Sequence, residues 1–364
     1  MNILYSILIG GWGGLEQYPF TVYPYLKKRG YNIFFLVLKN SRAHQECINR
    51  KIPYFTMDYY KKFSFKIINR MREIILENNI DIVHFNKSRE IYNWRFALNG
   101  FPGVKLIMTQ HIGISNKNDF IHKWFYKRLD AAIAVTRLLY NRMIKYLPVP
   151  EYKINLLYNG VDLTRFTSKS KSTFRKEFKI PADYLLFLCV GNLSPAKGAY
   201  EFIEAGIQLS KKYKKIKFIW VGEDKYSGVE NFKEKLEDII NKNNADKYFI
   251  FTGFRKDIPD ILKASDVFIL ASHNETFGIV YIEAMASGKP VIGCNSGGVP
   301  EIIENNKNGY LVKPGDAVEL YFAMEKYIRN KKLIKIHGAQ SEKKAQFFSM
   351  KNHINRLVDI YNSR

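Results

Sequence analysis

Two glutamates, Glu275 and Glu283, stand eight positions apart in NETFGIVYIE (274–283), inside an otherwise apolar segment. The run before them, DVFILAS (266–272), predicts a buried strand, which leaves Glu275 in a strand-to-helix loop. Phe277-Gly278 then open a helix, and Glu283 lies about one and a half turns inside it at ~1.5 Å rise per residue. Ile282, Ala284, Met285 and Ala286 predict that this helix is largely buried. A carboxylate in such surroundings is costly unless donors reach it, and sugar hydroxyls are suitable donors. A helix-start charge at Glu275 with a solvated Glu283 accounts for the same pattern equally well.

Three more segments carry candidate chemistry. Lys197 lies in GNLSPAKGAYEFIEA (191–205), a turn between a predicted strand and a helix. A lysine beside free helix amides makes a compact phosphate site. The order is Lys-Gly, so the Walker pattern fails, and a plain surface lysine is the alternative. Glycines 10, 11, 13 and 14 in IGGWGGLEQ (9–17) allow positive φ and close approach to a ligand, with a helix starting near Leu15. The dinucleotide spacing G-x-G-x-x-G is absent, and a simple tight turn is the rival reading. His111 closes the predicted strand VKLIMTQH (104–111), a placement that suits a polar group facing a ligand; a lone histidine is more often structural.

These groups need strands to hold them. Short apolar runs at 1–9, 32–38, 81–85, 104–111 and 131–135 read as buried strands separated by amphipathic helices. After a polar basic linker, TRFTSKSKS (164–172), the alternation restarts at 184–191, 217–223, 248–253, 266–272 and 290–295. Strand–helix alternation of this kind predicts parallel sheets with helices on both faces. Two series predict two doubly wound α/β domains facing a cleft. Ligands bind beyond the carboxyl ends of such strands, which is where all the candidate residues fall. The final stretch, 347–364, reads as one helix docking on either domain.

The 364 residues suit two α/β domains, and 46% hydrophobic with 25% charged residues suits a globular protein. The three cysteines, Cys47, Cys189 and Cys294, have neither metal-ligand nor disulfide spacing, which predicts a reducing compartment. The N-terminus lacks the form of a signal peptide, and no apolar run approaches the ~18–20 residues of a spanning helix, so a cytoplasmic or peripheral protein is expected. The formal charge is +23, and residues 1–166 carry 25 Lys and Arg against 11 Asp and Glu. That balance attracts anionic partners. The stretches 59–75 and 116–128 interleave bases with aromatics. For the first, a helix face docking on anionic lipid is weighed against an ordinary helix packed on its sheet.

The run E-T-F-G-I-V-Y-I-E-A-M-A-S-G-K-P-V-I-G, followed by G-G-V-P-E, resembles glycosyltransferase family 4. Gly13-Gly14-Leu15-Glu16 is similar to that family's N-terminal Gly-Gly loop, Asn159-Gly160-Val161-Asp162 to its NGVD, 191–198 to its GR…KG loop, and 251–254 to its F-x-G. His111 matches a histidine that closes a strand of the N-terminal domain. The resemblance spans nearly the whole chain and implies the GT-B fold: an acceptor domain over 1–163, a nucleotide-sugar domain over 173–346, and a helix over 347–364 crossing back to the first domain.

It also implies roles. Glu275 holds hydroxyls of the donor sugar, aided by the amides of Phe277 and Gly278, with Thr276 and Ile279 in the same donor loop. Glu283 holds the ribose, and Lys197 neutralises the diphosphate. Gly13 and Gly14 approach the diphosphate or acceptor, and His111 sits near the transferred sugar. The family often has arginine where this chain has Asn192; Arg255 is the candidate replacement. The implied reaction is retaining transfer from a nucleoside diphosphate sugar to a glycan or lipid-linked acceptor in bacterial cell-envelope polysaccharide or lipopolysaccharide assembly. No metal or other cofactor is expected, and the basic half suggests an anionic membrane at the inner face. An epimerase or glycosyl phosphorylase on the same fold is the alternative. A nucleic-acid-binding protein is more remote, since no such motif is present.

Overall fold

The computed structural model describes residues 1–167, 172–225 and 227–363. Part of the predicted linker, 168–171, lies outside the described residues. The chain divides into two compact units, Met1–Tyr158 with Lys351–Arg364, and Asn159–Met350. The NGVD segment thus belongs to the second unit, a few residues earlier than the boundary expected at 163.

The first unit holds seven strands: β1 Asn2–Ile7, β2 Asn32–Leu38, β3 Tyr54–Met57, β4 Ile82–Phe85, β5 Lys105–Gln110, β6 Ala131–Ala134 and β7 Ile154–Leu156. They form one parallel sheet in the order β3-β2-β1-β4-β5-β6-β7. The second unit holds β8 Leu185–Val190, β9 Ile216–Val221, β10 Phe249–Phe251, β11 Val267–Leu270, β12 Val291–Cys294 and β13 Gly309–Val312. These are also parallel, in the order β10-β9-β8-β11-β12-β13. The central strands are buried along almost their whole length, as a sheet covered on both faces requires.

Three strands, β3, β7 and β13, were not expected. Each is short, and its apolar run is broken or opened by a residue that hides it: Thr56 in β3, Asn155 in β7 and Gly309 in β13. In each sheet the connection order reverses beside the first strand of the unit: between β1 and β4, and between β8 and β11. The carboxyl ends at such a reversal form a natural crevice. After β1 comes the glycine loop; after β8 comes the Lys197 turn; after β11 comes Glu275.

The helix Phe65–Glu77 buries Ile67, Ile68, Met71, Ile74 and Ile75 against its sheet, about 1.5–3 kcal/mol for each large apolar side chain. Ser64 caps it by accepting from the Ile67 amide. The last helix runs Met350–Asn362, three residues later than expected, because Gln346–Phe348 form a tight turn that stays with the second unit. It packs in the first unit. The Tyr361 hydroxyl lies 2.7 Å from both Tyr5 Oη and His84 Nδ1, and Lys105 Nζ donates to the Tyr361 carbonyl at 2.7 Å.

Candidate active site

In the second unit the structure brings two expected residues together. Lys197 Nζ lies 2.5 Å from Glu275 Oε2, both side chains being partly buried. Lys197 ends the short turn Pro195–Lys197, and Gly198 (φ +77°) hands the chain to the helix Ala199–Lys212. A Cβ at Gly198 would stand 2.2 Å from the Ala271 carbonyl oxygen, so only glycine lets the Lys197 turn press against the end of β11. The His273 amide donates to the Ala196 carbonyl at 3.0 Å, tying the two loops by backbone. Below them Gly297 (φ +58°) lies under Glu275: its Cβ would stand 1.9 Å from the Glu275 carbonyl oxygen, which also accepts the Gly298 amide at 2.9 Å. The Gly-Gly of the downstream motif therefore seats the glutamate.

The helix begins at Ile279, one residue after the expected start, with Gly278 at φ +80° as its cap. A Cβ at Gly278 would meet the Tyr281 ring and come 3.1 Å from Glu275 Cγ. Phe277 is buried edge-on to Phe348, so its ring is not open to a ligand. Thr276 is half-buried and Ile279 exposed at the helix mouth. Glu283 is the fifth residue of this helix, about 6 Å along its axis from the start. It is half-buried, and its carboxylate makes no hydrogen bond among the described residues. Burial raises its pKa to about 7, with the Arg165 guanidinium pulling the other way.

That shift has a definite sign. A carboxyl group whose folded pKa lies above the ordinary value favours the fold when protonated, so this contribution is lost as pH rises from about 4.5 to about 7. If Glu283 holds a ribose diol, as the resemblance implies, the diol needs the ionised form and nucleotide binding releases a proton. Affinity for a nucleoside diphosphate sugar, whose phosphates do not titrate in this range, should be about tenfold stronger at pH 8 than at pH 6. Glu283→Gln should bind more weakly at pH 8 and lose the dependence. Calorimetry across that window checks both; an unchanged slope in the variant contradicts the assignment.

The candidate replacement clamp, Arg255, is engaged by carboxylates. The Arg255 guanidinium is bound on two sides, by Glu177 at 2.5 and 2.9 Å and by Asp257 at 2.9 and 2.6 Å. Both carboxylates would have to be given up before it could meet a diphosphate. Asn192 is half-buried in the loop after β8, and its side chain makes no hydrogen bond among the described residues. The reachable cation in this loop pair is Lys197.

Two features escaped the sequence reading. His273 Nε2 lies 2.7 Å from Glu201 Oε1, a second bridge, from the Glu275 loop to the first turn of the helix after Lys197. Val161 donates to the Phe348 carbonyl at 2.9 Å and accepts from the Met350 amide at 2.8 Å, so NGVD lies behind the Phe277 loop as a strap. Spacing in sequence signals neither.

In the first unit, glycines 10, 11, 13 and 14 do not adopt positive φ, contrary to expectation. Gly13 is extended and caps the helix Gly14–Lys27, and its amide donates to Glu16 Oε2 at 2.7 Å. That amide is already engaged within its own turn. Gly14 opens the helix with open space where a Cβ would be. His111 is buried just past β5, packed 5.2 Å from the Tyr18 ring. Burial and the neighbouring His353 push its pKa down to about 3, so the ring is neutral, and Nε2 has no partner among the described residues. Tyr18 Oη lies 3.0 Å from His353 Nε2, whose Nδ1 donates to the Tyr158 carbonyl at 2.7 Å. Asn86, at the end of β4, donates to the Leu15 carbonyl at 3.2 Å and keeps Oδ1 unpartnered. Among the described residues no group of three His, Cys, Asp or Glu is placed to hold a metal ion.

Two family descriptions together match most of the chain: Glycosyltransferase Family 4 over residues 12–165 and Glycosyl transferases group 1 over residues 170–344. The chain belongs to this family of glycosyltransferases, and its fold is GT-B. A Bacillus anthracis N-acetyl-alpha-D-glucosaminyl L-malate synthase is 25% identical over 80% of this chain and 78% of its own. An Escherichia coli UDP-Gal:alpha-D-GlcNAc-diphosphoundecaprenol alpha-1,3-galactosyltransferase is 28% identical over 81% and 79%. Among solved structures, a glycosyltransferase from Rickettsia africae superposes with TM-score 0.89 at 24% identity, covering 100% of this chain and 99% of that one. Anabaena Alr3699/HepE in complex with UDP gives 0.85 at 21%, covering 99% of each.

Proposed function

We propose that this glycosyltransferase moves a sugar, with retention, from a nucleoside diphosphate sugar to a glycan or lipid-linked acceptor of the bacterial cell envelope. The observation that carries the reading is the Lys197–Glu275 pair, clamped at the strand reversal between β8 and β11. Cleaving the sugar–diphosphate bond builds negative charge on the leaving group. Lys197 and the helix start at Ile279–Ala286 are preorganised to meet it. Glu275 takes hydroxyls of the sugar, and Glu283 takes the ribose. No metal is assigned a step, and the acceptor attacks from the leaving-group face without a carboxylate nucleophile. A UDP-bound structural neighbour and a relative named for a diphosphoundecaprenol-linked substrate support this choice of donor and acceptor class. Incubation with a panel of labelled nucleoside diphosphate sugars and membrane lipid extract tests it. Label should enter the lipid or glycan fraction with release of nucleoside diphosphate; none entering from any donor argues against the reading.

A membrane surface for the first unit belongs to the same proposal. The rings of Phe63, Phe96, Trp124 and Phe125 touch at centroid distances of 4.9–6.3 Å and join three segments into one shelf. Phe65, Phe120 and Ile121 in these segments are 83%, 84% and 63% exposed. Lys62 lies over the Tyr92 ring and Arg95 over Trp124, each at 4.3 Å. Exposed aromatics among bases suit the interface of an anionic bilayer. No helix among the described residues is long and apolar enough to cross a membrane. The protein should cosediment with anionic vesicles and be released by salt. The double variant Phe65→Ser, Phe120→Ser should bind at least tenfold more weakly, each ring being worth about 2 kcal/mol when buried. Equal binding to neutral vesicles would remove the electrostatic part.

A further inference from the structure

We propose that Glu275 competes with the leaving diphosphate for Lys197, so that the site discriminates against the spent nucleoside diphosphate and favours the intact donor. The inference rests on the donor-site reading above. It starts from the fact that the two groups that reading assigns to different parts of one ligand are bonded to each other, at 2.5 Å.

Neither loop can relieve the pairing by moving away. Gly198 lies against the Ala271 carbonyl, and Gly297 against that of Glu275. The His273 amide holds Ala196, the Gly298 amide holds Glu275, and the His273 ring meets Glu201. The backbone is fixed on both sides, so the pair separates only when a side chain rotates. An intact donor compensates both ends at once: its diphosphate meets the ammonium while the sugar hydroxyls donate to the carboxylate. A bare nucleoside diphosphate compensates only one end. It must take Lys197 while Glu275 stays close by, charged and without donors. Two like charges in a partly buried site repel far more than in water. When the sugar departs on the acceptor, Glu275 loses its donors and returns to Lys197. The same step therefore weakens the hold on the product.

The prediction has an unusual sign: removing an active-site charge should tighten binding of the product. By calorimetry at pH 8, UDP, GDP and ADP with their glucose conjugates serve as probes. The nucleoside diphosphate that binds wild type should bind Glu275→Gln at least tenfold more tightly, since a charge contact in a partly buried site exceeds the roughly fivefold effect it would have in water. Its sugar conjugate should bind the variant no more tightly than wild type. Glu275→Ala should repeat the gain, and in the Lys197→Ala background Glu275→Gln should give a smaller gain, because only the repulsion, and not the competition for the ammonium, remains to be relieved. Unchanged diphosphate affinity in both Glu275 variants, with wild type binding both ligands, would overturn the competition and leave the donor site standing. Failure of wild type to bind any diphosphate or conjugate would overturn both.

Discussion

Replacing Lys197 with alanine should lower kcat by about a thousandfold while leaving the fold intact, the size seen when one preorganised donor to a developing anion is removed. The effect is expected to be large because the reserve is thin. Asn192 stands where a second cation was expected, and Arg255 is held by Glu177 and Asp257. Lys197→Arg should recover only part of the rate, since the wider planar head meets Glu275 and a phosphate in a different geometry. Steady-state kinetics with saturating donor decide the matter. A near-normal kcat in the alanine variant would move leaving-group stabilisation elsewhere.

Gly297→Ala should damage the protein in two ways. At φ +58° an alanine is strained, and its Cβ would overlap the Glu275 carbonyl oxygen. Left-handed strain of ~1–2 kcal/mol and overpacking of ~1–3 kcal/mol combine to about 3 kcal/mol of lost stability. Relieving the overlap shifts Glu275, and a displacement near 1 Å can cost about a hundredfold in rate. Gly288→Ala is the control, because Gly288 has φ +69° but open space where the methyl would go. It should show the strain without the loss of rate. Urea unfolding with parallel activity measurements separates the two. Equal behaviour of the two variants would show that Gly297 does not seat the glutamate.

The legible and illegible parts of this molecule divide by range. Buried strands such as β5 and β8 announce themselves because a parallel sheet covered on both faces needs unbroken apolar runs. Short strands whose apolar run is interrupted, like β7 by Asn155 and β13 by Gly309 at its start, leave too little pattern. Lys197 and Glu275 could be read as loop residues after two strands, but only the crossover order places those strands side by side. Arg255 misled because its partner Glu177 lies 78 residues earlier, and nothing local marks it as engaged. The Glu201–His273 bridge and the Tyr18–His353 contact are equally long-range. The glycine loop was misjudged in the opposite direction. Its glycines permit positive φ, yet a Glu16 cap holds Gly13 extended.

The most direct test of the central claim, that the clamped Lys197–Glu275 loops bind an activated sugar, is a melting-temperature screen. Wild type and Lys197→Ala are each heated with a panel of nucleoside diphosphate sugars. Bound ligand raises the melting point by mass action, so at least one donor should stabilise wild type by several degrees and leave the variant unmoved. An equal rise in both proteins, or no rise with any donor, would contradict the account.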